Sequence, residues 1–414
     1  MNHALSKEEL TGLYNSLSSQ ARENTATLIK KIVAAKQRGG KVVVVTGSGP
    51  NIHEGVTTLL AELIAKGVVD GVLTSSAVVA HEMAGALDRV KRVSGELLPV
   101  SSLLLPRGSL FEATIMSTET LKRLQREMII DIALIERVLA AKGEIITKAA
   151  GNMAYPVGLR TERIAVEVES IAHREGIPFE EVAGFGADEH TMIGAGARRL
   201  VPVLVSVPQL IGGGMVGLAI GDSIPLKRRS ALIAKMLADA DVIIESGIAL
   251  SQEIHDGPFE TYTGHGIWAG WDGTSTYSLA GKTLARIDLD ENLQTVWSLE
   301  RQSHEVQDSI NKGLPKTKTF KVPFRMEMSG FARLEGSIPI IADLGIVWPI
   351  VAAEVAESLA IRLDFISAPQ ESERGRAARE WIVENVSMLD RENMVRGVMN
   401  RQGSLSTKKT ETAN

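Results

Sequence analysis

Apolar positions along the chain follow two rhythms, and the two alternate. Between residues 6 and 38 apolar side chains recur every three to four positions, as on one face of a helix. Ser6 and Glu9 form a capping-box pattern at its start, and Gly39-Gly40 stops it. A continuous apolar run, KVVVVTGSGP (41–50), then reads as a buried strand ending in a glycine turn. A helix over 53–66, a strand over 68–76 and a helix over 77–88 complete a β-α-β-α series, for which a right-handed parallel crossover is the default.

Beyond this the rhythm breaks. Pro99, Pro106 and Gly108 mark 91–116 as irregular. A helix is expected over 118–142, a short strand over 144–150, and a helix over 161–175 closed by Gly176 and Pro178. Two glycine-rich segments, 184–199 and 210–225, flank a strand at 202–208. A helix over 227–239, strands over 241–247 and 282–290, further strands within 292–345, and helices over 348–361 and 374–387 follow. The polar tail 401–414 is expected to be disordered. The expected fold is α/β: a Rossmann-like parallel sheet flanked by helices, with a smaller α+β C-terminal region. Residues 1–290 would form the ligand-binding domain with its N-terminal helix, and 291–400 the smaller region.

Composition narrows the function. The 414 residues are 44% hydrophobic, enough to bury a sizeable core, so wholesale disorder is excluded. Net charge is −5, which lacks the basic footprint of a nucleic-acid binder. There is no cysteine, so disulfides and thiolate chemistry are excluded and a cytoplasmic setting is expected. No apolar run approaches the roughly 20 residues that span a bilayer, and MNHALSKEELTGLY does not read as a signal peptide.

Candidate chemistry gathers where strands end. In VVVVTGSGPNIHEG (42–55), Gly47, Ser48, Gly49 and Asn51 lie between a strand and a helix start, a place where backbone N–H groups welcome phosphate or carboxylate. The pattern lacks the later glycine of the dinucleotide fingerprint, and no P-loop lysine follows. His53-Glu54 follows the first strand; His81-Glu82 follows the second, after Ser75 and Ser76. That repetition suggests one shared crevice, with one member of each pair pointing inward. A plain structural turn with surface caps would give the same pattern.

ADEHT (187–191) offers Asp188, Glu189 and His190, without the spacing of a known zinc signature. Five glycines within 212–221 suggest a backbone-lined pocket, and Gly221, Asp222 and Ser223 could address a ribose or cap the next helix. The segment 245–266 concentrates His255, Asp256, Glu260 and His265, as a substrate-pocket wall or a polar loop. Asp288, at a strand end, could hold a ribose hydroxyl or make a turn. Lys148 ends an apolar strand; a partly buried lysine there could form imines, while most strand-end lysines reach toward solvent.

Residues 40–87, including Ala77-Val78-Val79-Ala80-His81-Glu82, resemble the NAD-binding ornithine cyclodeaminase (LOR/SDH-type) domain of bifunctional arginine-handling enzymes. That domain is similar in turn to deoxyhypusine synthase, whose glycine-rich lysine loop has only a poor counterpart here in GLPK (313–316). The resemblance implies NAD and an amine or amino-acid substrate. The leading expectation is transient hydride transfer with C–N cleavage or rearrangement. Gly47, Ser48, Gly49, Asn51 and His53 would hold the cofactor with Ser75, Ser76, Asp222, Ser223 and Asp288. His255, Asp256, Glu260 and His265, with Glu189 and His190, would act as acids and bases. A metal-assisted hydrolase or lyase built on 188–190 and 255–265, or a non-catalytic nucleotide sensor, remain open. A small-molecule substrate and a closed homo-oligomer are the expected partners.

Overall fold

The computed structural model describes residues 5–98, 100, 101, 103, 105, 109–151 and 153–247. It further describes 271, 273, 275–289, isolated positions between 291 and 314, and 337–411. Helices α1 (Lys7–Ser16) and α2 (Ser19–Gln37) lead into β1 (Val42–Thr46), α3 (Pro50–His53), α4 (Val56–Ala65), β2 (Gly71–Thr74) and α5 (Ser76–Met83). An excursion follows: β3 (Leu87–Ser94), β4 (Leu110–Thr114), α6 (Thr118–Glu127), α7 (Ile132–Ala140) and β5 (Gly143–Ala149). The chain returns through α8 (Val157–Glu175), α9 (Phe179–Gly186), α10 (Met192–Arg199) and β6 (Val203–Val205). Then come α11 (Met215–Ser223), α12 (Leu226–Asp239), β7 (Val242–Ser246), β8 (Thr283–Asp288) and β9 (Ser337–Ile341). Helices α13 (Leu344–Ser358), α14 (Glu373–Asn385) and α15 (Arg391–Glu411) close the described chain.

Six strands form one parallel sheet in the order β6-β2-β1-β7-β8-β9. Counted along the chain, that is the 3-2-1-4-5-6 order of a Rossmann-like sheet, and its direction reverses between β1 and β7. Both faces are covered, which is why β1 reads as an unbroken valine run. Val42 and Val44 enter a core shared with α2, α4 and α13, while Val43 and Val45 meet α12 on the other face.

Open sheet edges need protection from further pairing. On β9 the edge carries Pro339, whose carbonyl accepts from Asn24 Nδ2 at 2.5 Å. On β6 the outward groups of Val205 meet a fully buried ion pair instead of a strand. Glu180 Oε1 accepts from Val205 N–H at 2.7 Å, Arg229 Nη1 donates to Val205 O at 3.3 Å, and the two side chains bond each other.

Several expectations change. The irregular 91–116 contains β3's end and β4, and the expected helix 77–88 stops at Met83, so β3 begins at Leu87. In DRVKRVS the buried residues Val90 and Val93 are three apart, a spacing unlike an alternating strand. Helix 118–142 is two helices, α6 and α7, each with its own cap at Ser117 and Asp131. The glycine-rich 184–199 is largely helical because its glycines are contact points: a Cβ on Gly184 would stand 2.4 Å from Ile193 O, and one on Gly186 2.4 Å from Asp390 O. Likewise 215–223 is helix α11. The boundary expected near residue 290 falls between β8 and β9, neighbours in one sheet; the extra antiparallel sheet, β4-β3-β5, lies within 87–149. Helical backbone runs through Glu411, into the tail expected to be disordered.

Candidate functional site

Open α/β sheets bind ligands beyond strand C-termini, where the strand order reverses. Here that point lies between Thr46 and Ser246, paired residues at the tips of β1 and β7. Gly47 follows Thr46, and Gly49 turns the chain with φ +66° and ψ −116°, a conformation that L side chains avoid. A Cβ at Gly49 would meet nothing within 4 Å among the described residues, so the turn is open on that side. Ser48 is exposed there.

Asn51 is buried and braces the reversal point. Its Nδ2 donates to Ser246 O at 2.9 Å, and Ser246 Oγ donates to Asn51 Oδ1 at 2.6 Å. Trp348 Nε1 donates to the same hydroxyl at 2.7 Å, tying α13 into the bracket. The hydroxyls of Thr46 and Thr74, at the tips of β1 and β2, are buried and make no hydrogen bond among the described residues. Buried polar groups are normally satisfied, so these two hydroxyls are exceptions at the strand ends.

Both His-Glu pairs divide their work in the same way. Glu54 accepts from Gln370 N–H at 2.6 Å and lies against Gly345 in the first turn of α13; burial pushes its carboxyl up to about 7. Glu82 accepts from Met192 and Ile193 N–H at 2.8 and 3.0 Å, capping α10; burial raises it to about 7 as well. The glutamates thus hold backbone, and the histidines face a common neighbour. His53 is held below its ordinary value by burial, then by Arg379, His81 and Lys148. His81 is lowered by burial and by Lys148, while its Nδ1 lies 2.8 Å from Ala150 O.

That neighbour is one face of the small sheet. Asp88 pairs with Lys148 across β3 and β5, and Arg92 with Glu112 across β3 and β4. Lys148 Nζ donates to Glu112 Oε2 at 2.6 Å, and Arg92 reaches Glu112 Oε1 through Nε at 2.8 Å and Nη2 at 2.6 Å. Burial alone would raise Glu112, but these two cations hold it below the usual carboxylate range. Burial pushes Asp88 up to about 6 against the pull of Gly151 N–H and Lys148. From α14, Arg379 Nη2 donates to Thr147 O at 2.7 Å. The result is a half-buried group of two histidines, three cations and two carboxylates at the C-terminal end of the central strands.

The other candidates are placed as follows. Ser75 caps α5 at Val78 N–H; Ser76 Oγ donates to Gln209 O and accepts from Gly213 N–H. Gly221 and Asp222 lie in the last turn of α11, with Asp222 exposed, and buried Ser223 donates to Ile220 O. Asp288 ends β8 and pairs with Arg286 Nη2 at 2.9 Å. His255, Asp256, Glu260 and His265 lie outside the described residues. Glu189 is exposed. Asp188 Oδ1 accepts from His190 N–H at 3.0 Å and lies 2.8 Å from its Nδ1, while Oδ2 accepts from Ser387 N–H. The His190 ring stands edge-on to Trp381, so this pair joins the α9–α10 turn to the region of α14. Among the described residues no group of three or more His, Asp or Glu is placed to hold a metal ion. No helix among them is long and apolar enough to cross a membrane.

The Asp188–His190 bond has a pH signature. The hydrogen bond to Asp188 raises His190 above its ordinary 6.5, outweighing burial. Its stabilisation is therefore complete below that value and lost as pH rises through the raised one. Melting curves from about pH 5.5 to 8.5 should show the wild type losing its advantage over His190→Gln toward alkaline pH. The effect is below about 1 kcal/mol because the ring is one-third exposed. Parallel curves would remove this role.

Asp88, Arg92, Glu112 and Arg379 escaped the sequence reading. Only Lys148 carried a signal, as a polar end to an apolar strand.

No protein-family profile matches the chain, and no curated protein matches it in sequence. Solved structures with a related arrangement include ArgZ, a cyanobacterial arginine dihydrolase from the ornithine-ammonia cycle (12% identity, TM-score 0.40). Another is AgrE with ornithine and NAD+ (15%, TM-score 0.38). A third is a LOR/SDH protein of Methanococcus maripaludis S2 (10%, TM-score 0.37). Each alignment covers 83% of this chain, but only 32%, 34% and 71% of the respective partner chains. The chain thus spans about a third of the length of the two arginine-handling proteins.

Proposed function

We propose that the chain is an NAD-dependent enzyme acting on a small amino-acid-like substrate at the reversal point of its parallel sheet. The single observation that carries the reading is the meeting of a 3-2-1-4-5-6 sheet, an open glycine turn at its reversal and the His53–His81–Lys148 group beside that turn. The residues present fit a dinucleotide: the open side of Gly49 would let a diphosphate approach backbone, and the Thr46 and Thr74 hydroxyls at the strand tips have no hydrogen-bond partner among the described residues. Gly47, Ser48 and Gly49 form the cradle and Asn51 holds it rigid; Asp288, the strand-end carboxylate paired with Arg286, would address a ribose. When bound, NAD supplies a hydride acceptor.

The chain's own groups do the remaining work. His53, kept neutral by burial and surrounding cations, accepts the proton of the N–H or O–H group on the substrate's reacting carbon. Lys148 and Arg379 attract a carboxylate, while Asp88 and Glu112 attract an ammonium group.

Saturating NAD should raise the melting temperature by a few °C, since ligand at 100-fold its Kd adds about 2.7 kcal/mol. Gly49→Ala should cancel that shift and cost about 1–3 kcal/mol by itself, because alanine is strained at that backbone conformation. An unchanged wild-type melting temperature with NAD would refute the reading.

A further inference from the structure

The outer face of α8 has no partner among the described residues. Leu159 and Val166 are 44% and 50% exposed, and beside them on α11 stand Met215 and Leu218 at 43% and 53%. The two helices pack along each other, so these four exposed apolar side chains stand on adjoining elements. At roughly 100° per residue, Leu159 and Val166 fall on nearly one line along α8. Glu162 lies about 60° to one side of that line and Arg163 about 40° to the other. A Cβ on Gly214 would stand 3.7 Å from Glu162 Oε1, which places α11 on the glutamate flank. Both Glu162 and Arg163 are exposed, and neither makes an ion pair or side-chain hydrogen bond among the described residues.

We infer that a second copy of this chain covers this face, packed about a two-fold axis parallel to α8. The charges select that direction. A two-fold parallel to the helix exchanges its flanks, so each Glu162 faces the partner subunit's Arg163, displaced along the axis by about one residue's rise of 1.5 Å. Leu159 then meets the partner subunit's Leu159, and Val166 the partner subunit's Val166. A two-fold perpendicular to the helix keeps each flank on its own side, setting glutamate against glutamate and arginine against arginine. The arginine's methylene stem is also long enough to lie over Met215 and Leu218 of the facing copy. The contact is isologous, so one patch is sufficient to close the assembly as a dimer. The inference stands apart from the ligand chemistry.

The test is light scattering of the full chain across a dilution series. The wild type should be a dimer. Glu162→Arg alone and Arg163→Glu alone should each weaken it at least tenfold, while an equimolar mixture of the two variants restores it. So should the double swap Glu162→Arg/Arg163→Glu. Because the chain has no cysteine, Val166→Cys gives a clean readout of direction: mild oxidation should link two copies covalently. A monomeric wild type, single swaps without effect, loss without rescue, or no link through position 166 would each overturn the proposal. Circular dichroism melts of the surface variants separate a lost interface from a lost fold.

Discussion

Glu180→Ala should destabilise the protein by about 3–5 kcal/mol, the cost of stranding a buried guanidinium. Arg229 and Glu180 have no exposed side-chain surface, so water cannot replace the missing carboxylate. Arg229 would retain only the carbonyls of Val205 and Ile220 and the Ser223 hydroxyl. The more telling variant is Glu180→Met/Arg229→Met. Replacing a buried ion pair with apolar residues is often neutral. Here the pair also satisfies the outward N–H and C=O of edge strand β6, so the double variant should remain about 1–3 kcal/mol below wild type. It should also self-associate at raised temperature, as an unprotected edge would. Urea unfolding followed by circular dichroism measures both variants. A double variant as stable as wild type would show that the pair does not guard the edge.

The same pair illustrates which parts of the molecule the chain discloses on reading. Local signals were reliable where one residue decides the outcome. Ser6 and Glu9 form the capping box, Gly176 closes α8 in a left-handed conformation, and the VVVV run is a strand covered on both faces. These depend on neighbours within a few positions. Glu180 and Arg229 are 49 residues apart, and each looks like an ordinary helical charge until β6 lies between them. The glycines of 184–196 mislead for a related reason. Their purpose is close approach between helices and loops, which resembles loop composition when only the sequence is visible. The His-Glu repeats lie between these cases. Their position after two strands was legible and suggested a shared crevice. What the glutamates hold was not, because the backbone they cap belongs to α10 and to residue 370. Asp88, Arg92 and Glu112 were hidden in a stretch whose three-residue apolar spacing obscures its strand.

His53→Gln should lower kcat by about 10²–10⁴-fold, the usual contribution of a positioned general base. The assay is single-turnover reduction of bound NAD in the presence of a panel of amino acids, followed by absorbance. NAD affinity should change little if His53 serves the substrate and not the cofactor. The pH profile supplies the sharper test. Burial, Arg379, His81 and Lys148 all disfavour the charged imidazole, so wild-type His53 should stay neutral and active below its ordinary 6.5. Lys148→Met removes one of those cations, so the His53 pKa should rise and the acidic limb of kcat/KM should move to higher pH. The same substitution also releases Glu112 from one of its two cations, leaving Arg92 to hold it. Substrate affinity should therefore fall together with the shift in the profile, if Lys148 also attracts the substrate carboxylate. Lys148→Arg should restore the position of the acidic limb, because it restores the positive charge. A limb that stays fixed in Lys148→Met would mean that this lysine does not face the base, and the acid–base assignment to His53 would fall with it.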